Sequence, residues 1–245
     1  MILAIDCGNT RVKWGLRGAG DAPPAEGEPG AWRAQGARPL AEIAHLQADW
    51  ATIAAPMRIA IANVAGESVR AALVLSLARF SAGQIWVTAA PSQCGVINSY
   101  STPSQLGADR WASLIGARHL HAGASLVVNA GTATTVDLLG ADGVFRGGVI
   151  FPGVDLMKKS LAENTAGLPL AEGKYAEEPR NTADAIASGC LHAQAGAIER
   201  LFEKLGQGAL CFLSGGGAPK LAGLLKIPMR AVDNLALEGL VRIAA

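Results

Sequence analysis

The chain has 245 residues, of which 50% are apolar and 17% charged, with a formal net charge of +1. That length and composition support a large buried core in one large or two small domains, and the scattered basic residues leave no electrostatic footprint for nucleic acid or an anionic membrane. Cys7, Cys94, Cys190 and Cys211 lie far apart with no Cys-x-x-Cys spacing, so neither a zinc site nor a disulfide framework is indicated and a reducing cytoplasm is the default. No apolar run approaches the about 18 residues of a spanning helix, and the first run lacks a basic leader and is interrupted by Asp6. The expectation is a soluble, cytoplasmic protein without a signal peptide and with neither membrane nor nucleic acid as partner.

The opening stretch, Met1 to Gly15, organises the rest. Ile2 to Ile5 form an apolar run that delivers Asp6 to a tight Cys7-Gly8-Asn9-Thr10 turn, after which Val12 and Trp14 resume an alternating pattern. This spacing predicts a buried strand, a turn and a second strand. Gly8 and Asn9 tolerate positive φ, so the turn is expected to curl its N–H groups into a concavity suited to a phosphate. Asp6, at a strand end beside that nest, is a candidate to hold hydrated Mg²⁺, and Lys13 adds positive charge if its side of the hairpin faces the nest. A plain hairpin accounts for the same residues.

Further along, Gly18 to Gly30 reads as a surface loop and Pro39 to Trp50 as a helix. Met57 to Ala62 fits a buried strand, Gly66 to Phe80 an amphipathic helix, and Gln84 to Thr88 the next strand. Strands alternating with helices predict an α/β architecture. A helix is expected from Pro103, with Ser104 as N-cap and Asp109 and Arg110 in its early turns. Such a pair also serves simply to match the helix dipole and form a salt bridge.

Ser125 to Leu139 repeats the opening design, with Asn129 and Gly131 falling where Asp6 and Gly8 fell and Thr132, Thr134 and Thr135 supplying hydroxyls. β-Propensity explains such threonines about as well. The duplication predicts two similar α/β domains, 1–118 and 119–245, with a cleft between them and one turn from each offered to phosphates. Val144 to Pro152 reads as a strand and Gly153 to Glu163 as a helix, followed by a polar, loop-like 169–180. Asn181 or Thr182 can cap a long helix with an apolar stripe through Ile186, Cys190, Ala193, Ala197 and Leu201. The small residues on that helix suit a subunit interface. Ala209 to Leu213 predicts a strand ending in Gly215, Gly216 and Gly217, where backbone can approach a nucleotide base or ribose. Asp137, Asp155 and Asp184 are not separable from ordinary strand-end and helix-start carboxylates.

The ordered set DCGNT at the start, N-x-Y with P-x-x-L-G-A-D-R over Asn98 to Arg110, NAGTATTVD over Asn129 to Asp137, G-G-x-I-x-P-G over Gly147 to Gly153, Asn181-Thr182 and Ser214-Gly215-Gly216 resembles the type III pantothenate kinases across nearly the whole chain. The resemblance implies a duplicated actin-like, ribonuclease H-like fold shared with acetate and sugar kinases. It also implies a homodimer and ATP-dependent phosphorylation of pantothenate, the first step towards coenzyme A. It assigns Asp6, Cys7, Gly8, Asn9, Thr10, Arg11, Val12 and Lys13 to the first ATP phosphate loop, with Thr132, Gly215 and Gly216 also at ATP. Tyr100, Gly107, Ala108, Asp109, Arg110 and Thr182 fall at pantothenate, Thr182 from the partner subunit. Asp109 matches the proton acceptor, and Asp6 is catalytic through Mg²⁺.

Where the family pattern has an aspartate that ligates a monovalent cation, this chain has Asn129. A neutral amide oxygen is a weaker ligand than a carboxylate, which leaves the family requirement for K⁺ or NH₄⁺ open. Two other readings use the same residues: a kinase of the superfamily with another small acceptor, and a non-catalytic accessory factor for transcription.

Overall fold

The computed structural model describes residues 1–18, 30–168, 170 and 172–245. The loop read over 18–30 thus lies largely outside the described residues, as do 169 and 171 of the polar stretch read over 169–180.

The first apolar run forms β1 (Ile2–Cys7), paired antiparallel with β2 (Arg11–Arg17), which pairs antiparallel with β3 (Ala34–Pro39). The helix predicted over Pro39 to Trp50 forms only in part as α-helix. Pro39 ends β3 in extended geometry (φ −53°, ψ 144°), a 3-10 turn kinked at Glu42 follows, and only α1 (Leu46–Asp49) is α-helical. Proline suits the end of an outer strand and cannot continue a ladder, so the sheet claims a residue that the periodicity gave to a helix.

β4 (Arg58–Asn63), α2 (Glu67–Leu77) and β5 (Gly83–Trp86) then form as the pattern predicts. The short β6 (Ser92–Gln93) and β7 (Val96–Asn98) precede α3 (Ala108–Leu120). Ser104 does not cap α3: Pro103–Gln105 is a separate 3-10 turn, Leu106 is extended, and Gly107 is the N-cap. The second half runs β8 (Ser125–Ala130), β9 (Ala133–Leu139), β10 (Val144–Pro152), α4 (Val154–Asn164) and α5 (Thr182–Phe202). It ends with β11 (Leu210–Ser214), α6 (Ala218–Ala222), β12 (Met229–Ala231) and α7 (Leu235–Ala244).

These elements divide into two units. The first comprises Met1–Gly123, Leu139–Gly147 and Asn234–Ala245, the second Ala124–Leu138 and Gly148–Asp233. In the first the strand order is β3-β2-β1-β4-β5, with β4 parallel to β1 and β5 to β4. The start of β10 pairs with β7 in this unit, through Val144 and Phe145. In the second unit the order is β10-β9-β8-β11-β12, with β11 parallel to β8 and β12 to β11. Counted from the first strand of each, both orders read third, second, first, fourth, fifth. β1 and β8 also share one burial pattern position by position, so the repeat seen in the sequence extends to sheet topology.

Each unit has its own core. Trp50 anchors the first, with Trp14 edge-on at 6.3 Å and Phe80 at 6.3 Å, above Leu3, Ile5, Ile59 and Ile61. Leu126, Val128, Val136, Ile198, Leu213 and Leu221 fill the second. α5 departs from its expected stripe: it buries Ala187, Ser188, Leu191, Gln194, Ala195 and Ile198 with Cys190, while Ala193 is exposed and Ile186 only half-buried. Two buried polar side chains displace the stripe, because each has a hydrogen-bond partner inside.

α3 is buried nearly all round, as expected of a helix covered on several sides. α7 crosses it at two glycines: a Cβ on Gly116 would lie 2.5 Å from Leu235 O, and one on Gly239 only 1.8 Å from Ala112 O. Beside that crossing, Arg17 of β2 makes a bidentate pair with Glu238 of α7 (2.6 and 2.7 Å), both buried. We expect Gly239→Ala to lower unfolding free energy by about 1–3 kcal/mol through overpacking. At the mid-helix Gly196 of α5 an added Cβ meets nothing within 4 Å, and Gly196→Ala should add up to about 1 kcal/mol. Urea denaturation of the two variants checks both signs.

Candidate active site

The first turn grows directly out of β1. Asp6 faces Lys13 across the hairpin register, Gly8 N–H donates to Arg11 O at 3.1 Å, and Thr10 O accepts from Leu40 N at 2.8 Å. Neither Gly8 nor Asn9 adopts the positive φ expected of them; among the described non-glycine residues only Cys94 does, at 50°. The Gly8 to Arg11 segment between the paired Cys7 and Val12 is long enough to turn on right-handed backbone, as four-residue hairpin loops commonly do.

Asp6 is the electrostatic centre of this unit. Its Oδ1 is closed off from solvent without a hydrogen-bond partner. Burial, and then the Asp109 carboxylate, push its pKa up from 3.8 to about 7, while Lys13 pulls it down. Burial and the Asp6 charge likewise push the Cys7 thiol up, which keeps it protonated and inert. Asp109 lies in the first turn of α3, its Oδ1 accepting from the Arg110 N–H at 2.8 Å. A Cβ on Gly107 would come within 2.6 Å of that oxygen, so the glycine leaves the carboxylate room to fold back over the helix start.

Arg110, one residue on, is buried at 5% exposure. Its Nη1 donates to Tyr100 Oη at 3.3 Å, and its guanidinium lies 5.9 Å from the Tyr100 and Phe145 ring centres, themselves 5.2 Å apart. Asn98 Oδ1 accepts from Tyr100 N at 3.0 Å and fixes the tyrosine's backbone. Phe145 was not legible as a site residue: it reads as an ordinary strand position, and only the pairing of β10 with β7 brings it there. The guanidinium thus lies to one side of two packed aromatic rings, within cation–π reach of both.

In the second unit, Asn129 occupies the place on β8 that Asp6 occupies on β1 and pairs in register with Ser214. Gly131 N–H donates to Ala133 O at 3.1 Å, and Thr132 O accepts from Gly153 N at 2.8 Å. Two glycines press on this turn: a Cβ on Gly153 would lie 2.1 Å from Gly131 O, and one on Gly215 2.3 Å from Ala130 O. Gly215 has φ +98°, so the left-handed backbone sought at Gly8 is found here. Gly217 N–H closes onto Ala130 O at 2.9 Å, while around Gly216 nothing lies within 4 Å of an added Cβ.

Thr182 begins α5 behind the Asn181 cap, whose Oδ1 accepts from Asp184 N at 2.9 Å. It lines an apolar groove of about 570 Å³ shared by Met157 and Leu161 of α4 and Ile186, Gly189 and Ala193 of α5. The ambiguous carboxylates separate in the structure. Asp184 accepts from Lys174 N and Asn181 Nδ2, both at 2.7 Å, and so ties the preceding segment to α5. Asp155 pairs with Lys220 at 2.8 Å, and Asp137 is fully buried in β9. Among the described residues no three His, Cys, Asp or Glu side chains cluster as a metal cage, and no helix is long and apolar enough to cross a membrane.

Twin sheets of this order, each ending its first strand in a polar turn, define an α/β protein of the duplicated actin-like class that includes ATPases and sugar kinases. Solved structures sharing the fold include a protein described as a Baf family transcriptional activator from Campylobacter jejuni, with TM-score 0.63, 18% identity and coverage of 98% of this chain and 96% of that one. Another, described as a 2-dehydro-3-deoxygalactonokinase from Sinorhizobium meliloti, gives TM-score 0.60 and 18% identity over 100% and 98% of the two chains. At that identity the likeness speaks to fold alone. The family model described as type III pantothenate kinase matches residues 2–204. A type III pantothenate kinase of Aromatoleum aromaticum is 54% identical over 246 residues, which span 100% of this chain and 98% of its own. The chain belongs to the type III pantothenate kinase family.

The state of Asp6 can be checked through stability. Its folded-state pKa of about 7 lies above the ordinary 3.8, so the native state holds the proton more tightly. The Asp6 contribution is therefore fully present below pH 4 and is lost as pH rises through 7. Asp6→Asn should remove that loss, raising stability at pH 8 relative to pH 4 by up to about 4 kcal/mol against the parent, at 1.36 kcal/mol per pKa unit. Denaturant melts of both proteins across that range measure the difference.

Proposed function

We propose that this chain carries out the reaction of its family through the Asp6–Asp109 acid pair, the two polar turns and the Tyr100–Arg110 pocket. The reaction is the ATP-dependent phosphorylation of pantothenate to 4'-phosphopantothenate, the first step of coenzyme A biosynthesis. Phosphoryl transfer asks a protein mainly to position the reactants and neutralise charge that spreads over the γ-phosphoryl oxygens. The segment from Asp6 to Lys13 (Asp6, Cys7, Gly8, Asn9, Thr10, Arg11, Val12, Lys13) holds phosphates with backbone N–H groups and one ammonium. Thr132, Gly215 and Gly216 hold the nucleotide from the second turn.

Asp6 suits Mg²⁺. Its Oδ1 has no partner, and Mg²⁺ commonly keeps several waters and takes only one or two carboxylates beside the phosphates. When bound, the ion neutralises phosphate charge. Asp109 accepts the proton of the pantothenate hydroxyl, and Arg110 forks onto the pantothenate carboxylate, with Tyr100, Gly107 and Ala108 shaping the pocket. Thr182 joins that site from a second subunit. The apolar α4–α5 groove supports a homodimer, and four free cysteines support a reducing cytoplasm. Asn129 binds K⁺ or NH₄⁺ weakly at most, because its amide oxygen carries no net charge.

The observation that carries this reading is the electrostatic coupling of Asp6 to Asp109: a metal-side acid and a base-side acid share one neighbourhood. ADP release that depends on added pantothenate is the basic test. Asp109→Asn should lower kcat by about 10²–10⁴-fold while ATP still binds by calorimetry; near-normal turnover would remove Asp109 from the role. Asn129→Asp should increase the stimulation by KCl, read as the rate with and without the salt.

A further inference from the structure

Gln194 is the side chain of the second unit that hydropathy explains least. It lies mid-way along α5 with no exposure, among Ala187, Leu191, Ala195 and Ile198. A buried amide is costly unless it is hydrogen-bonded. Here its bonds run to β9, which leaves the second turn, and to the end of β10. Gln194 Nε2 donates to Pro152 O at 3.1 Å, and Thr134 Oγ1 donates to Gln194 Oε1 at 2.9 Å. A carbonyl can only accept, so the amide nitrogen must face Pro152, and this fixes the oxygen towards Thr134.

Both partners adjoin the turn. Thr134 follows the Gly131 to Ala133 bond directly, and Pro152 precedes Gly153, whose N–H donates to Thr132 O at 2.8 Å. One side chain on α5 therefore fixes the chain as it leaves the turn and the residue that braces it. Among the described residues the first unit has no such hydroxyl at this place. On β2 the position equivalent to Thr134 is Val12, buried and apolar. The hydroxyl in the second copy breaks the apolar pattern, and Gln194 is the partner that accounts for it.

We propose that Gln194 is a positioning residue, which holds the Gly131–Thr132 turn, through Thr134 and Pro152, in the shape that receives the phosphates of ATP. This rests on the reading that the second turn contacts ATP. Gln194 has no exposed surface through which to meet a substrate, so its loss is to be felt at the turn it braces, at the nucleotide and not at pantothenate.

Steady-state kinetics of Gln194→Leu, Thr134→Val and Thr134→Ser, with Thr132→Ala as a variant of the turn itself, test the proposal. Gln194→Leu and Thr134→Val should each raise KM for ATP by about 5- to 30-fold, the range that one or two lost interactions give. KM for pantothenate should stay unchanged, and Thr134→Ser, which keeps the hydroxyl, should restore the parent KM for ATP. The double variant should be no worse than the worse single one, since both cut the same bond. If Thr132→Ala raises KM for ATP and Gln194→Leu does not, the positioning role is overturned and the turn assignment stands. If neither raises it, the turn assignment itself fails. A rise shared equally by both KM values marks a structural role and also overturns the proposal. Should Gln194→Leu fail to fold, the Thr134→Val and Thr134→Ser pair decides alone: equal KM values for ATP in the two overturn it.

Discussion

A carboxylate closed off at the end of a buried strand must be answered by charge, and the first unit is arranged around that demand. Asp6 has Lys13 across the hairpin as a partial answer, while burial and Asp109 work against its ionisation. The second acid is no accident of a loop. Asp109 sits in the first turn of α3, and α3 is held by α7 across Gly116 and Gly239. α7 is in turn fastened to β2 by the buried Arg17–Glu238 pair. A chain of packing thus runs from α7 to the position of Asp109, the acid proposed above as proton acceptor. A buried pair of that kind is weak evidence for net stability, but it fixes where α7, and through it α3, can lie.

The two units share a strand order and differ in charge. Where the first has Asp6 and Lys13, the second has Asn129 and Thr135 at the equivalent positions. The second turn is instead squeezed into shape by backbone: Gly153 and Gly215 approach Gly131 and Ala130 so closely that no side chain fits.

Sequence patterning made β1, β4, β8 and β11 legible because they are built on continuous apolar runs, and the start of α5 legible because Asn181 caps it as its residue type suggests. The twin turns were legible as repeated motifs. What failed was what depends on partners far along the chain. The α-helix read over Pro39 to Trp50 gave up Pro39 to β3, which needs β2 to exist, and its next residues to a 3-10 turn. The Ser104 cap gave way to Gly107, where the fold of Asp109 back over the helix start leaves no room for a Cβ. Positive φ was sought at Gly8 on local turn chemistry, yet it lies at Gly215, where contact with Ala130 demands it. Phe145 and Gln194 carry no local signal at all, since each acquires its role only from strands that pair elsewhere.

α5 shows why an apolar stripe alone misleads. Of the stripe read as core, Cys190 is buried and Ile186 and Leu201 pack against the core, while Ala193 is exposed and the side of Ile186 and Ala193 lines an open groove with Met157 and Leu161. The face actually buried includes Ser188, which accepts from Ala176 N, and Gln194, which bridges Thr134 to Pro152. A helix tolerates polar groups inside when each has a fixed partner, and such groups specify one register where alanines and leucines would allow several. An apolar face turned outward, by contrast, gains only when something covers it. In the homodimer proposed above, the covered face and the face proposed to brace the second turn belong to one continuous helix.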